Sequence, residues 1–196
     1  MAAAGGPHYA TGSMGPLHPN RCCLLVIDVQ ERFLPAIHQL DQVVHNLRGL
    51  LRLGRRLGVG VVVTEQYPRG LGATLPAVAA EIDPFVPFPK THFDACREPG
   101  FLPLIHATGA TEIIVAGVES HVCVQQTCRA LARRGYHLHV VADACASRTP
   151  ENHAIGLGLM REAAISITST EAVLMELLGD ARGELFKESL AFLKGS

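Results

Sequence analysis

A chain of 196 residues, 48% hydrophobic and only 18% charged, is sized for one domain around one substantial core. Seventeen basic residues against eighteen acidic ones leave a formal charge of −1. The sequence therefore carries no electrostatic footprint for nucleic acid or an anionic membrane, and the expected partner is a small molecule.

Residues 1–20 are rich in Ala, Gly and Pro and lack both the apolar core of a signal peptide and the arginines of a transit peptide. They read as a flexible arm ahead of a single domain over residues 21–196. Aliphatic and β-branched runs at 23–27, 59–64, 85–88, 112–116, 137–142 and 164–168 predict six strands. Helical periodicity predicts helices over 40–57, 120–134 and 152–161, with two more at 171–178 and 184–193. Gly58 and Gly135 each follow a pair of arginines, as a C-terminal cap with cations at the negative end of the helix dipole requires. No apolar run is long enough to span a bilayer. Near-continuous apolar strands alternating with amphipathic helices predict a doubly wound α/β fold. Its form is three-layer α/β/α, with a central, mainly parallel six-stranded sheet.

Six cysteines, Cys22, Cys23, Cys96, Cys123, Cys128 and Cys145, are scattered through these elements without the repeated C-x-x-C spacing of a zinc site. Most lie in apolar stretches, the pattern of reduced thiols in a cytoplasmic protein.

In such folds the reactive groups gather beyond the carboxyl ends of the strands. The first strand ends at Asp28, the third runs into Lys90, and the fourth turns abruptly through Gly117-Val118-Glu119-Ser120 into a helix carrying Cys123. The N–H groups and positive dipole end at that helix start favour a thiolate and can bind an oxyanion. Taken singly, Cys123 reads as one more buried cysteine, Asp28 as a helix cap and Lys90 as a surface lysine. Placed together at neighbouring strand ends, they are a nucleophile, a proton shuttle and a cation that favours the thiolate.

The residues that carry this pattern are Asp28 and Gln30 followed by Phe33, Lys90 followed by Phe93, and Gly117-Val118-Glu119-Ser120 leading to Cys123-Val124 and Thr127. In this order they resemble the isochorismatase-like cysteine hydrolases over nearly all of residues 21–180. Thr64-Glu65-Gln66-Tyr67-Pro68 and 143–148 are similar to the subgroup of isochorismatase domain-containing proteins. The resemblance implies Cys123 as nucleophile, Asp28 as general base and acid, and Lys90 as the cation beside the sulfur. It also implies a cis peptide between Val118 and Glu119 that aims the N–H groups of Glu119 and Cys123 at an oxyanion, and association into a homo-oligomer. Metal-binding nicotinamidases of the family place an Asp and two His after strand two. Here that stretch reads Glu65-Gln66-Tyr67-Pro68-Arg69-Gly70-Leu71-Gly72, so the expected site has no metal and no cofactor. The presence of Cys123 favours an amide, carbamoyl or related C–N substrate cleaved through a thioester. Gln30, Phe33, Tyr67 and His121 are the candidates for contact with it. A non-hydrolytic alternative, a redox-responsive thiol or a binding scaffold with the same fold, needs Cys123 but not the proton shuttle.

Overall fold

The computed structural model describes residues 16–195. Its frame is a six-stranded sheet, β1 (Cys22–Ile27), β2 (Gly60–Gln66), β3 (Phe88–Lys90), β4 (Glu112–Val118), β5 (His137–Ala146) and β6 (Ser166–Thr168). The strands lie in the order β3-β2-β1-β4-β5-β6, and every neighbouring pair is parallel. All six residues of β1 and all seven of β4 are buried, which is why both read as unbroken apolar runs.

The pleat sends alternate residues of β1 to opposite faces. Cys22, Leu24 and Val26 join a core with α1 (Leu40–Leu57), α7 (Thr170–Leu178) and the partly buried face of α8 (Glu184–Lys194). Cys23, Leu25 and Ile27 join a second core with α4 (Phe101–Ala107), α5 (Gln125–Ala132) and α6 (Pro150–Glu162). Two single-turn helices, α2 (Pro68–Leu71) and α3 (Pro76–Ala79), lie between β2 and β3. Gly58 caps α1 in the left-handed conformation, with Arg55 and Arg56 in the last turn.

Several elements depart from the sequence expectation, the unexpected single-turn helices α2 and α3 among them. The edge strand runs over Phe88–Lys90 and not 85–88. Its pairing is Thr64↔Phe88, Glu65↔Pro89 and Gln66↔Lys90, and an edge position tolerates Pro89, which has no N–H to donate. Helix α4 was not foreseen; its Pro103 falls in the first turn, where the missing N–H has no helical partner to lose. The expected helix over 120–134 divides into a π-helical turn, Ser120–Val124, and α5. Finally, β5 continues to Ala146. Its register with β4 slips between Val115 and Gly117, so that Gly117 pairs with Cys145 and Val118 with Ala146.

Of the expected arm, residues 1–15 lie outside the described residues. Leu17 is buried in the core, with its N–H donated to Glu176 at 3.2 Å, and Pro19–Arg21 forms a 3-10 turn leading into β1. Among the described residues no helix is long and apolar enough to cross a membrane.

Candidate active site

The strand order reverses between β1 and β4, and the polar groups converge at the carboxyl ends on either side of that point. Gly117, at φ 128, makes the close approach possible: a Cβ there would overlap the Ile27 carbonyl oxygen of β1. After Val118 the peptide to Glu119 is cis, and the chain enters the π-helical turn that carries Cys123. Helix α6 supports the turn from outside. A Cβ at Gly156 would stand 2.6 Å from the Ser120 carbonyl carbon and 2.7 Å from the His121 nitrogen, so the two backbones pack directly.

Asp28 leaves β1 with φ 56, a left-handed conformation that Asp tolerates better than most residues. Its N–H donates to the Thr64 carbonyl at 3.1 Å, and its Oδ1 accepts from Thr64 Oγ1 at 2.7 Å. The other carboxylate oxygen, Oδ2, accepts from Lys90 Nζ at 2.7 Å. Lys90 Nζ also donates to Gln66 Oε1 at 2.5 Å and to the His92 carbonyl at 3.4 Å. Cys123 Sγ lies 4.0 Å from the same Gln66 oxygen, a long S–H···O contact. Asp28 and Lys90 side chains are fully screened from solvent, and Cys123 is 6% exposed.

Burial, the largest cause, pushes the Cys123 thiol up to about 12; the charge of Asp28 and its hydrogen bond add to this, and Lys90 works against it. Burial therefore favours the neutral thiol at Cys123. Against the thiolate expected at a helix start, desolvation at so little exposure outweighs the opposing effect of the Lys90 ammonium.

The structure brings Asp28, Lys90 and Cys123 together, but distributes the four expected pocket residues differently. Gln30 is buried, and its carboxamide is engaged as a brace: Nε2 donates to the carbonyls of Gln66 and Gly72, and Oε1 accepts the Gln66 N–H at 2.8 Å. Phe33 is buried in the core on the α1 face. Tyr67 is 56% exposed, immediately after β2, with its N–H held by the Lys90 carbonyl at 2.8 Å. His121 lies in the π-helical turn, and its Nδ1 contacts Ser147 Oγ at 3.0 Å.

Two site residues escaped the sequence reading, Thr64 and Gln66. The first fixes the carboxylate of Asp28, and the second bridges the ammonium and the sulfur. The signal that could have found them is register, since both lie on the inner strand that pairs with β3. Glu119 at the turn is buried. Its Oε2 accepts the Arg148 N–H at 3.2 Å, and its Oε1 stands 3.5 Å from the Arg148 guanidinium. Among the described residues no three His, Cys, Asp or Glu side chains converge as metal ligands.

A family model for the isochorismatase domain matches residues 22–172. The chain is 36% identical over 183 residues to isochorismatase domain-containing protein 1 of Salmo salar; the match covers 93% of this chain but only 64% of that protein. Among solved structures, one described as the MAR1 ribonuclease of Caenorhabditis elegans superposes with a TM-score of 0.85 at 32% identity, covering 92% of this chain and 93% of the other. The YcaC gene product of Escherichia coli, described as an octameric hydrolase of unknown specificity, shares the fold with a TM-score of 0.85 at 23% identity over 93% of this chain and 91% of its own.

Proposed function

Because the chain belongs to the isochorismatase domain family, we propose that it is a metal-independent cysteine hydrolase that cleaves a small amide, carbamoyl or related C–N bond through a thioester on Cys123. The observation that carries this reading is the buried contact set of Asp28, Lys90, Gln66 and Cys123 at the sheet's switch point.

A neutral thiol beside a carboxylate sets the order of events. The sulfur attacks the acyl carbon as its proton passes to Asp28, and the carbonyl π pair moves onto oxygen, facing the N–H groups of Glu119 and Cys123. As the oxyanion collapses the C–N bond breaks, and the nitrogen takes the proton from Asp28 and departs as an amine. Water then attacks the thioester, giving a proton to Asp28. The C–S bond breaks, and the sulfur recovers that proton as the acid leaves. Lys90 offsets the charge that develops on sulfur.

The redox-thiol alternative is less well supported. Oxidation-sensing cysteines combine a depressed pKa with exposure, and Cys123 has neither. The ribonuclease description belongs to the worm protein. In this chain the balanced charge and the enclosed reactive groups favour a small neutral substrate over RNA, which serves as a control. Association into a homo-oligomer belongs to the same reading, supported by the exposed apolar side chains Leu34, Tyr67 and Phe93 just beyond β1, β2 and β3. A clean 21.0 kDa particle in light scattering would contradict it.

The test is intact-mass detection of an acyl adduct on Cys123 across a panel of small amides, carbamoyl compounds and nitriles, with Cys123→Ala alongside. An adduct that the variant lacks supports the reading. Near-normal turnover by Cys123→Ala on a substrate the parent accepts ends it.

A further inference from the structure

Gln66 touches both the cation and the nucleophile while being neither acid nor base. Its Nε2 donates to the Thr91 carbonyl at 2.7 Å, which fixes the orientation of the amide and turns Oε1 inward, to Lys90 Nζ at 2.5 Å and Cys123 Sγ at 4.0 Å. The backbone of Gln66 is set separately, by both ends of the Gln30 carboxamide and by pairing with Lys90. An ammonium has three protons to donate. Here all three have acceptors: Asp28 Oδ2, Gln66 Oε1 and the His92 carbonyl. The sulfur, which Lys90 also reaches and stabilises as a thiolate, must therefore compete with these three acceptors, and the Gln66 atom that faces it is an oxygen, which can accept a thiol proton but offers nothing to a thiolate.

We propose that Gln66 is a positioning residue for the nucleophile: it competes with Cys123 for a Lys90 proton and holds the cysteine as an oriented neutral thiol until Asp28 takes its proton. The charged groups acting on that thiol are Asp28, at the end of β1, and Lys90, on β3, with the neutral Gln66 oxygen from β2 in contact with both the ammonium and the sulfur. The proposal rests on Cys123 being the nucleophile, but its test needs no substrate.

The rate of iodoacetamide alkylation at Cys123, followed by peptide mass spectrometry so that the other five cysteines are read separately, is measured against pH for the parent, Gln66→Leu and Gln66→Glu. Gln66→Leu removes the acceptor and frees one Lys90 N–H for the sulfur. Its midpoint should fall by about one unit, making alkylation near neutral pH about tenfold faster. Gln66→Glu puts a second carboxylate beside the sulfur, so its midpoint should rise and its alkylation slow by a similar factor. Opposite shifts cannot come from general loosening, which would speed both. Unchanged midpoints, or shifts of the same sign, overturn the proposal. Opposite shifts together with no acyl adduct from any amide would leave the role of Gln66 standing and remove the hydrolase reading. An adduct with unmoved midpoints would do the reverse.

Discussion

Asp28 Oδ2 and Lys90 Nζ lie 2.7 Å apart, with both side chains shut off from solvent. A buried pair of this kind is expensive to break from one side, because the partner left behind is a charge without compensation. Asp28→Asn and Lys90→Met should each destabilise the fold by about 3–5 kcal/mol, while the double variant, which buries no charge, should recover most of the loss. Chemical denaturation of the four proteins checks this. Additive losses would mean that the two groups are solvated independently.

The same pair acts on Cys123 with opposite signs, Asp28 holding the proton on sulfur and Lys90 favouring its release. Asp28→Asn should therefore lower the pH at which Cys123 becomes alkylatable yet cut turnover about 10²- to 10⁴-fold, as the loss of a general acid–base group does. Lys90→Met should raise the alkylation midpoint. A parallel fall in reactivity and turnover for Asp28→Asn would show that the carboxylate supports the fold without moving the proton.

How much of this was legible in the sequence depends on what each residue does locally. β1 and β4 announce themselves because central parallel strands are apolar on both faces, and with them come the positions of Asp28 and the Cys123 turn. The candidate residues Asp28, Lys90 and Cys123 are legible because each stands where a strand ends. Gln66 and Thr64 are hidden because their roles come from register: β2 runs two residues beyond the expected end at 64, which sets Gln66 opposite Lys90. Gln30 misleads for the opposite reason, since a buried glutamine and a substrate-binding one look alike until their hydrogen bonds are counted. The sequence shows the helix start at Cys123 but not the burial that pushes its thiol pKa up.

Gly156 and Gly158 sit two residues apart on α6 but face different surroundings. An added Cβ meets the backbone of the Cys123 turn at the first and nothing within 4 Å at the second. Gly156→Ala should cost about 1–3 kcal/mol and slow acylation of Cys123 by shifting its turn. Gly158→Ala should be neutral or stabilising by up to about 1 kcal/mol, from helix propensity alone. Equal behaviour of the two variants would dissociate α6 from the site.

The end of β2 gives a further expectation. Gln66 Oε1 and Nε2 are both engaged within the protein, and the stretch after it, 67–72, contains neither Asp nor His. Exhaustive chelation should therefore leave turnover unchanged. Loss of activity on chelation that zinc or manganese restores would contradict metal independence.

The buried cysteines should make the fold sensitive to alkali. Cys23, Cys96, Cys123 and Cys145 are pushed from 9.0 to about 12, chiefly by burial, and Cys128, enclosed beside Cys145 and Cys96, also lies well above 9.0. Below pH 9.0 these thiols keep their protons whether the chain is folded or not, and their contribution is fully present. Above it the unfolded chain releases protons that the folded chain retains, so stability falls as pH rises toward the folded values. Each such thiol adds a slope of about 1.4 kcal/mol per pH unit. Cys128→Ala, which removes one fully buried thiol, should lower stability at pH 7 through its small cavity yet flatten the alkaline slope by about that amount. Denaturant unfolding of parent and variant from neutral pH upward measures both effects. Parallel curves would show that Cys128 ionises in the folded chain as readily as in the unfolded one, and that the alkaline loss arises elsewhere.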